Sequence, residues 1–101
     1  MAEVRLSVEA ESDLDEIWLY IARTSGSAEI ANRVVDNITD RFWLLARHPY
    51  IGRRRDDLCP GLRSLIVDDY VAIHRVDAGG AVLILHILHG RRDIASFFEV
   101  P

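Results

Sequence analysis

Nine consecutive residues near the carboxyl end, Ala81 to His89, constrain the fold more than any other part of the chain. Their sequence is AVLILHILH. Successive side chains of a strand point to opposite faces of a sheet, so this run is apolar on both faces. A strand of that kind is typical of the interior of a sheet rather than of its edge. The chain must therefore build a sheet around residues 81–89 and cover at least one of its faces.

Three other segments have the pattern of strands. Asp68-Asp69 and residues 77–80 are turn sequences, and they separate runs that we expect to pair as an antiparallel meander. A shorter strand is predicted at the amino end, where apolar and polar residues alternate. The predicted strands other than the one at residues 81–89 are Val4 to Val8, Leu62 to Val67 and Tyr70 to Val76.

Residues 8–48 carry the spacing of two amphipathic helices. Ser7 and Ser27 are suitable amino-terminal caps, Thr24-Ser25-Gly26 separates the helices, and Pro49 ends the second. Apolar residues recur every three or four positions, which gives each helix one apolar stripe. The stripes consist of Ala10, Leu14, Ile17, Trp18 and Ile21 in the first helix, and of Ala31, Val34, Val35, Ile38, Phe42 and Leu45 in the second.

The order of elements, β-α-α-β-β-β, predicts a single α+β domain over residues 1–101. We expect an antiparallel hairpin of two helices to pack on one face of a twisted antiparallel sheet. The opposite face would remain partly uncovered. Because a large exposed apolar patch is unusual for a solitary protein, this arrangement favours a protein that binds a partner.

The charges are unevenly distributed along the chain. The net charge is −4, and all 12 basic residues are arginine. Residues 1–46 contain 4 arginines and 9 acids, whereas residues 47–76 contain 6 arginines and 4 acids. A protein that coats nucleic acid is expected to be basic overall, so the composition favours local contacts with anions.

The single cysteine, Cys59, excludes an internal disulfide and favours a reducing compartment. Cys59 lies in a loop rich in proline and glycine, and we interpret it as a plain loop thiol. The amino end has no apolar run of signal-peptide length, and no segment has the length of a membrane span. We therefore expect a cytoplasmic protein that does not contact membranes.

Four segments resemble the ParE/RelE superfamily of bacterial toxins, and more closely its ParE branch. They are AESDLDEIWLYIA in the first helix, FWLLARHPYIGRRRDDLCPGLRSL from the second helix into the meander, YVAIHRV on the next strand and ILHGRRD at the end of the last. Their order and spacing together carry the resemblance, which covers nearly the whole chain.

The resemblance implies a toxin of a type II toxin-antitoxin system, a class associated with plasmid stabilisation. A ParD-like antitoxin with a ribbon-helix-helix DNA-binding part would neutralise it by wrapping it with a carboxyl-terminal helix and, in some cases, an added strand. The resemblance also implies that the target is DNA gyrase, which toxins of the ParE branch trap on cleaved DNA through protein contacts. No cofactor and no metal are implied.

An alternative from the same superfamily is a RelE-like endonuclease that cuts mRNA on the ribosome. Such an enzyme needs an acid, a base and cations that hold the phosphate. His89 could be the acid or base, with Arg63, Arg75, Arg91 and Arg92 as clamps, and Tyr70 could assist. Against this reading, the chain has no lysine, and Phe97 and Phe98 stand where the nucleases usually carry a tyrosine. An interaction module without toxicity is the third possibility.

Several polar residues remain candidates for contact with the antitoxin or the target. They are Arg53, Arg54, Arg55, Arg63, His89, Arg91, Arg92 and Asp93, together with the apolar Phe97 and Phe98. Each has a structural alternative. Arg53 to Arg55 precede Asp56-Asp57 and can form a solvated loop with compensated charge, while Arg92 and Asp93 can pair with each other. His86 and His89 are three residues apart on a strand and should face opposite sides, which argues against a shared metal site. Gly52 and Gly61 are expected to be turn formers.

Overall fold

The described part of the chain forms a five-stranded sheet with three helices packed against it. The computed structural model describes residues 1–90 and Ile94. Its elements, in chain order, are β1 (Val4–Leu6), α1 (Val8–Ser25), α2 (Ala28–Asp40), α3 (Phe42–Arg47), β2 (Arg53–Arg54), β3 (Arg63–Val67), β4 (Tyr70–Val76) and β5 (Val82–His89). The predicted α+β architecture and the antiparallel meander of β3, β4 and β5 are confirmed.

The strand order is β1-β5-β4-β3-β2, so β5 lies inside the sheet as its double-sided apolar pattern predicts. The sheet is mixed rather than wholly antiparallel, because β1 runs parallel to β5 with Val4 opposite Val82 and Leu6 opposite Ile84. The alternation within a short strand does not encode its direction of pairing. That direction follows from the long connection through the helices and the meander.

The second helix is interrupted at Arg41, where a single helix to Pro49 was expected. The backbone N–H of Arg41 donates to the carbonyls of Ile38 and Thr39, and the N–H of Leu44 donates to the carbonyl of Arg41. Bonds between residues three apart are typical of a 3₁₀-helix, so the chain turns more tightly here than in an α-helix. The hydroxyl of Thr39 also donates to the carbonyl of Asp36, a local bond that competes with regular helix. The result is two helices, α2 and α3.

Beyond the end of β1, the outer edge of β5 is completed by two side chains of the α1 region. The Ser7 hydroxyl donates to the carbonyl of Leu85 at 2.7 Å and accepts from the N–H of Ala10 at 3.0 Å, so Ser7 also caps α1. Oδ2 of Asp13 accepts from the N–H of Ile87 at 2.9 Å and from Nδ1 of His86 at 3.1 Å. The β5 strand bulges at Leu85, because Ile73 pairs with His86 and the next residue, His74, pairs with Ile84. These bonds join α1 to the edge of β5 at the bulge.

Apolar residues gather on both faces of the sheet. The larger cluster lies between the helices and the sheet and contains Ala10, Ile38, Phe42, Leu45, Val67, Ala72, Val82, Ile84 and Ile87. The smaller cluster consists of Leu62, Val71 and Ile73, with Leu58, Leu85 and Ile94 packed against it. The second face is therefore covered in part by the chain itself, while Ile66 of β3 remains 68% exposed.

His74 of β4 is fully buried beneath the loop that precedes β2. Its Nδ1 donates to the carbonyl of Ala72 at 3.2 Å, and its Nε2 has no hydrogen-bond partner among the described residues. Gly52 packs directly over the ring, since a Cβ at this position would lie 2.6 Å from Cε1 of His74. The glycine is required by this close approach and not by a turn with positive φ, whereas Gly61 does have a φ of 87°.

Burial lowers the pKa of His74, and the nearby guanidinium of Arg63 lowers it further, while the bond to the Ala72 carbonyl acts in the opposite direction. The folded protein thus holds this imidazole in its neutral form.

None of the helices in the described part of the chain has the length and apolar character needed to cross a membrane.

Replacing Asp13 by alanine should lower the free energy of unfolding by about 1–3 kcal/mol. The substitution leaves the backbone N–H of Ile87, at the partly buried edge of β5, without its acceptor. Asp13→Asn, which retains an oxygen acceptor, should lose less. Urea denaturation measures the difference, and Asp15→Ala, an exposed position on the same helix, should change stability by less than about 0.5 kcal/mol. Equal effects of Asp13→Ala and Asp15→Ala would contradict the role given to Asp13.

Acid should destabilise the protein through His74. As pH falls below about 6.5, the ordinary pKa of histidine, the unfolded chain takes up a proton that the folded chain resists. The free energy of unfolding therefore decreases toward acid, with an upper limit of about 1.4 kcal/mol per pH unit for one proton. His74→Phe should flatten this dependence between pH 6.5 and pH 5 in denaturation curves, and the exposed His48→Gln should leave it in place. An unchanged slope in His74→Phe would show that other groups control acid stability.

Candidate binding groove and the basic end of the sheet

A groove of about 620 Å³ lies between α1 and the end of the sheet where β5 finishes and β4 begins. This volume is in the range of pockets that hold small ligands or several side chains of a partner. The residues that line it are Asp13, Glu16, Ile17, Tyr20, Ile21, Asp69, Tyr70, Ile87, Leu88 and His89.

Helical spacing and strand register place these side chains together. Asp13, Glu16, Ile17 and Tyr20 are at positions i, i+3, i+4 and i+7 of α1, which is one side of a helix. On the sheet, Tyr70 is the register partner of His89, and their rings meet edge to face with centroids 5.6 Å apart. The N–H of Gly90 donates to the carbonyl of Asp69 at 2.8 Å and fixes the turn beside this pair.

The groove is acidic and aromatic. Asp13, Glu16 and Asp69 contribute carboxylates, and none of the described residues that line the groove is an arginine. Burial raises the pKa of Tyr70, and the neighbouring Asp69 and Tyr20 raise it further. At neutral pH the phenol therefore keeps its proton. Tyr70 can donate a hydrogen bond but is poorly suited to act as a base.

The structure separates His89 from Arg63 and Arg75, the nuclease candidates that it describes. Arg63 is the register partner of His74, and Arg75 is the next residue of β4, so the side chains of Arg63 and Arg75 point to opposite faces. His89 pairs with Tyr70, which is four residues from His74 along β4, a distance of about 13 Å. His89 thus lies in the groove at one end of the sheet, whereas Arg63 and Arg75 lie toward the other end. Arg92 is outside the described residues.

Arg63 holds the loop before β2. Its Nη1 donates to the carbonyls of Tyr50 and Gly52 at 3.0 and 2.9 Å, and its guanidinium carbon lies 5.2 Å from the centroid of the Tyr50 ring. Contacts with a carbonyl pair and an aromatic face orient the guanidinium. Arg63 therefore fixes the conformation of the loop whatever else it contacts.

The run Arg53 to Arg55 forms a short edge strand and the turn after it. Arg53 and Arg54 pair with Ser64 and Arg63 of β3. Arg54 forms an ion pair with Asp56 at 2.8 Å, and Arg55 forms a bidentate pair with Asp57. Two of the three arginines are thus engaged within the loop, while Arg53 is exposed on the edge strand. Arg91, Asp93, Phe97 and Phe98, the other contact candidates from the sequence, lie outside the described residues.

The site candidates predicted from the sequence do not include the acids of the groove, Asp13, Glu16 and Asp69, nor Tyr20 at its rim. A usable signal was present, since α1 carries a second stripe with acids and an aromatic residue at helical spacing, and Tyr20 is 65% exposed. Within residues 1–90 and Ile94, no group of three or more His, Cys, Asp or Glu side chains is arranged to hold a metal ion.

Comparison with known proteins identifies the family. Residues 4–94 match the family model described as the ParE toxin of the type II toxin-antitoxin system parDE. Toxin ParE3 of Caulobacter vibrioides is 34% identical over 84 residues, which is 83% of this chain and 82% of that protein. Toxin ParE1 of the same organism is 32% identical over 89 residues, 88% of this chain and 90% of the relative.

Solved structures have the same fold. A chain from the chromosomal ParDE toxin-antitoxin system of P. aeruginosa superposes with a TM-score of 0.77 at 27% identity, covering 88% of this chain and 96% of that one. A chain from the toxin-antitoxin complex RelBE2 of Mycobacterium tuberculosis gives a TM-score of 0.59 at 26% identity, covering 87% and 96%. The family match over most of the chain, the two curated relatives and the shared fold establish that the chain belongs to the ParE toxin family of type II toxin-antitoxin systems.

Proposed function

We propose that this toxin is neutralised by a ParD-like antitoxin and inhibits DNA gyrase through protein contacts, without cutting RNA itself. The observation that carries the proposal is the separation of His89 from Arg63 and Arg75, two of the four arginines named as clamps. His89 stands in an acidic groove, while Arg63 and Arg75 are on opposite faces toward the other end of the sheet. General acid-base catalysis at a phosphodiester needs the proton-transferring group and the cationic clamp around the same phosphate.

The electrostatics around His89 support the same proposal. Three carboxylates line the groove that contains it, and like charges repel the phosphates of an RNA chain. Tyr70, which could have assisted His89, has a raised pKa and holds its proton. These properties disfavour a phosphodiester substrate at this site and favour contact with protein.

The segment from α3 to β2 offers a surface for the target. Trp43 is 59% exposed and Tyr50 is 64% exposed, and Arg53 stands exposed at the sheet edge that follows. Aromatic residues and arginine are enriched among the residues that dominate binding at protein interfaces. We assign the contact with gyrase to this segment.

A ParD-like antitoxin is the partner proposed on family grounds. The structural relative from P. aeruginosa belongs to a ParDE system, and the part of the chain described here leaves Ile66 and the groove open to a partner. A helix in a groove and a strand on a sheet edge are two common ways in which a peptide segment completes such surfaces.

Inducing the toxin without its antitoxin should generate gyrase-bound, cleaved DNA and an SOS response while mRNA stays intact. The purified toxin should likewise stabilise the cleavage complex of gyrase on plasmid DNA. Substitution of Trp43 and Tyr50 by alanine should weaken this activity about tenfold or more, because exposed aromatic anchors dominate interface energies. The exposed Leu19→Ala on α1 serves as the matched control and should retain activity.

The alternative predicts a different pattern. Ribosome-dependent cuts at codon boundaries, lost in His89→Ala, would overturn the proposal in favour of an mRNA endonuclease. If neither DNA nor mRNA is cleaved and growth is normal, the chain is not an active toxin of either kind.

A further inference from the structure

We propose that the groove between α1 and the β4–β5 end binds an arginine or lysine side chain of the antitoxin, seated between Glu16 and Asp69 on an apolar floor. This inference rests on the proposed function, since it names how the antitoxin is recognised. Recognition of the antitoxin is thus assigned to acidic residues of the toxin, whereas most of the contact candidates predicted from the sequence are arginines.

The described part of the groove is acidic. The described residues that line it include three carboxylates and no arginine, and neither Glu16 nor Asp69 forms an ion pair within the part of the chain that the structure describes. Asp13 uses Oδ2 for its bonds to Ile87 and His86, and its Oδ1 takes part in neither. A cation in the groove would bind the carboxylates of Glu16 and Asp69, which the fold brings to the same groove and which have no basic partner among the described residues.

The groove also has the shape and surface chemistry for a long basic side chain. Ile17, Ile21 and Ile87 provide aliphatic surface, and Tyr20, 65% exposed, stands at the rim. A long basic side chain has an apolar stem and a charged head, so it can cover such a surface and still reach the carboxylates. The face of a tyrosine also attracts a cation, with arginine the more frequent partner.

Other occupants fit the groove less well. The described residues provide no cluster of metal ligands, so a bare metal ion does not account for the acids. Nucleic acid would bring more negative charge to an acidic surface. A protein segment that combines apolar residues with a basic one satisfies both the aliphatic surface and the carboxylates.

The test measures the affinity of the purified toxin for the small protein encoded beside its gene. The double variant Glu16→Gln, Asp69→Asn removes two negative charges from the groove and should weaken binding about tenfold or more at physiological salt. The matched control Asp15→Asn, Glu29→Gln removes two exposed carboxylates that do not line the groove, and its affinity should stay within about twofold. Equal weakening in the two variants would indicate general electrostatic attraction and would overturn the proposal.

A charge reversal identifies the partner residue. Glu16→Arg should weaken binding strongly, and each arginine or lysine of the antitoxin is then replaced by glutamate in turn. One of these replacements should restore affinity with the Glu16→Arg toxin while reducing it with the native toxin. If no replacement restores binding, the groove does not hold a basic side chain.

Tyr20→Ala gives an independent readout of the same site. Its exposed ring makes little contribution to folding, so thermal stability should be retained while the affinity for the antitoxin decreases. A complex that forms with the native affinity in both Tyr20→Ala and the double variant would refute the groove proposal and leave the proposed function intact. If the neighbouring protein does not bind the native toxin at all, the proposed neutralisation fails instead.

Discussion

The structure depends on how the two edges of β5 are satisfied. One edge pairs with β4 along its whole length, and the other pairs with β1 only from Val82 to Ile84. From the bulge onward, Ser7 and Asp13 replace the missing strand by bonding to the backbone of Leu85 and Ile87. Because both side chains belong to the beginning of α1, the same contacts fix the helix against the sheet. The groove lies at the end of β5, where the packing of α1 on this strand ends.

Much of the fold could be predicted from local patterns. The boundaries of β3, β4 and β5 agree with the apolar runs to within one residue, and Ser7 and Ser27 cap α1 and α2 as expected. Such features depend on periodicity and on hydrogen bonds between close neighbours. The parallel pairing of β1, the break at Arg41 and the edge strand β2 depend on tertiary contacts or on small differences in local bonding. Composition and spacing contain little information about them.

The candidate site was harder to predict than the fold. His89 lines the groove, but Arg63 and Arg75, which the nuclease alternative places around the same phosphate, lie elsewhere because strand register and side-chain alternation separate them from His89. The acids that do surround it come from α1 and from the turn before β4, more than fifty residues apart in the chain. The family resemblance, by contrast, is confirmed by comparison, since it depends on the order of several segments and not on the convergence of side chains.

The contact between Gly52 and His74 has a consequence for how the molecule moves. The ring of His74 is buried under Gly52, and Arg63 also holds the loop through the carbonyls of Tyr50 and Gly52. Together these contacts tie the arginine-bearing loop to the middle of the sheet. Opening that loop would bring water to the centre of β4. The backbone amides of the loop should therefore exchange their hydrogens with solvent in the same cooperative unit as those of the sheet. A surface loop of this kind presents its charges on a rigid support, and the loop loses little conformational entropy when a partner binds there.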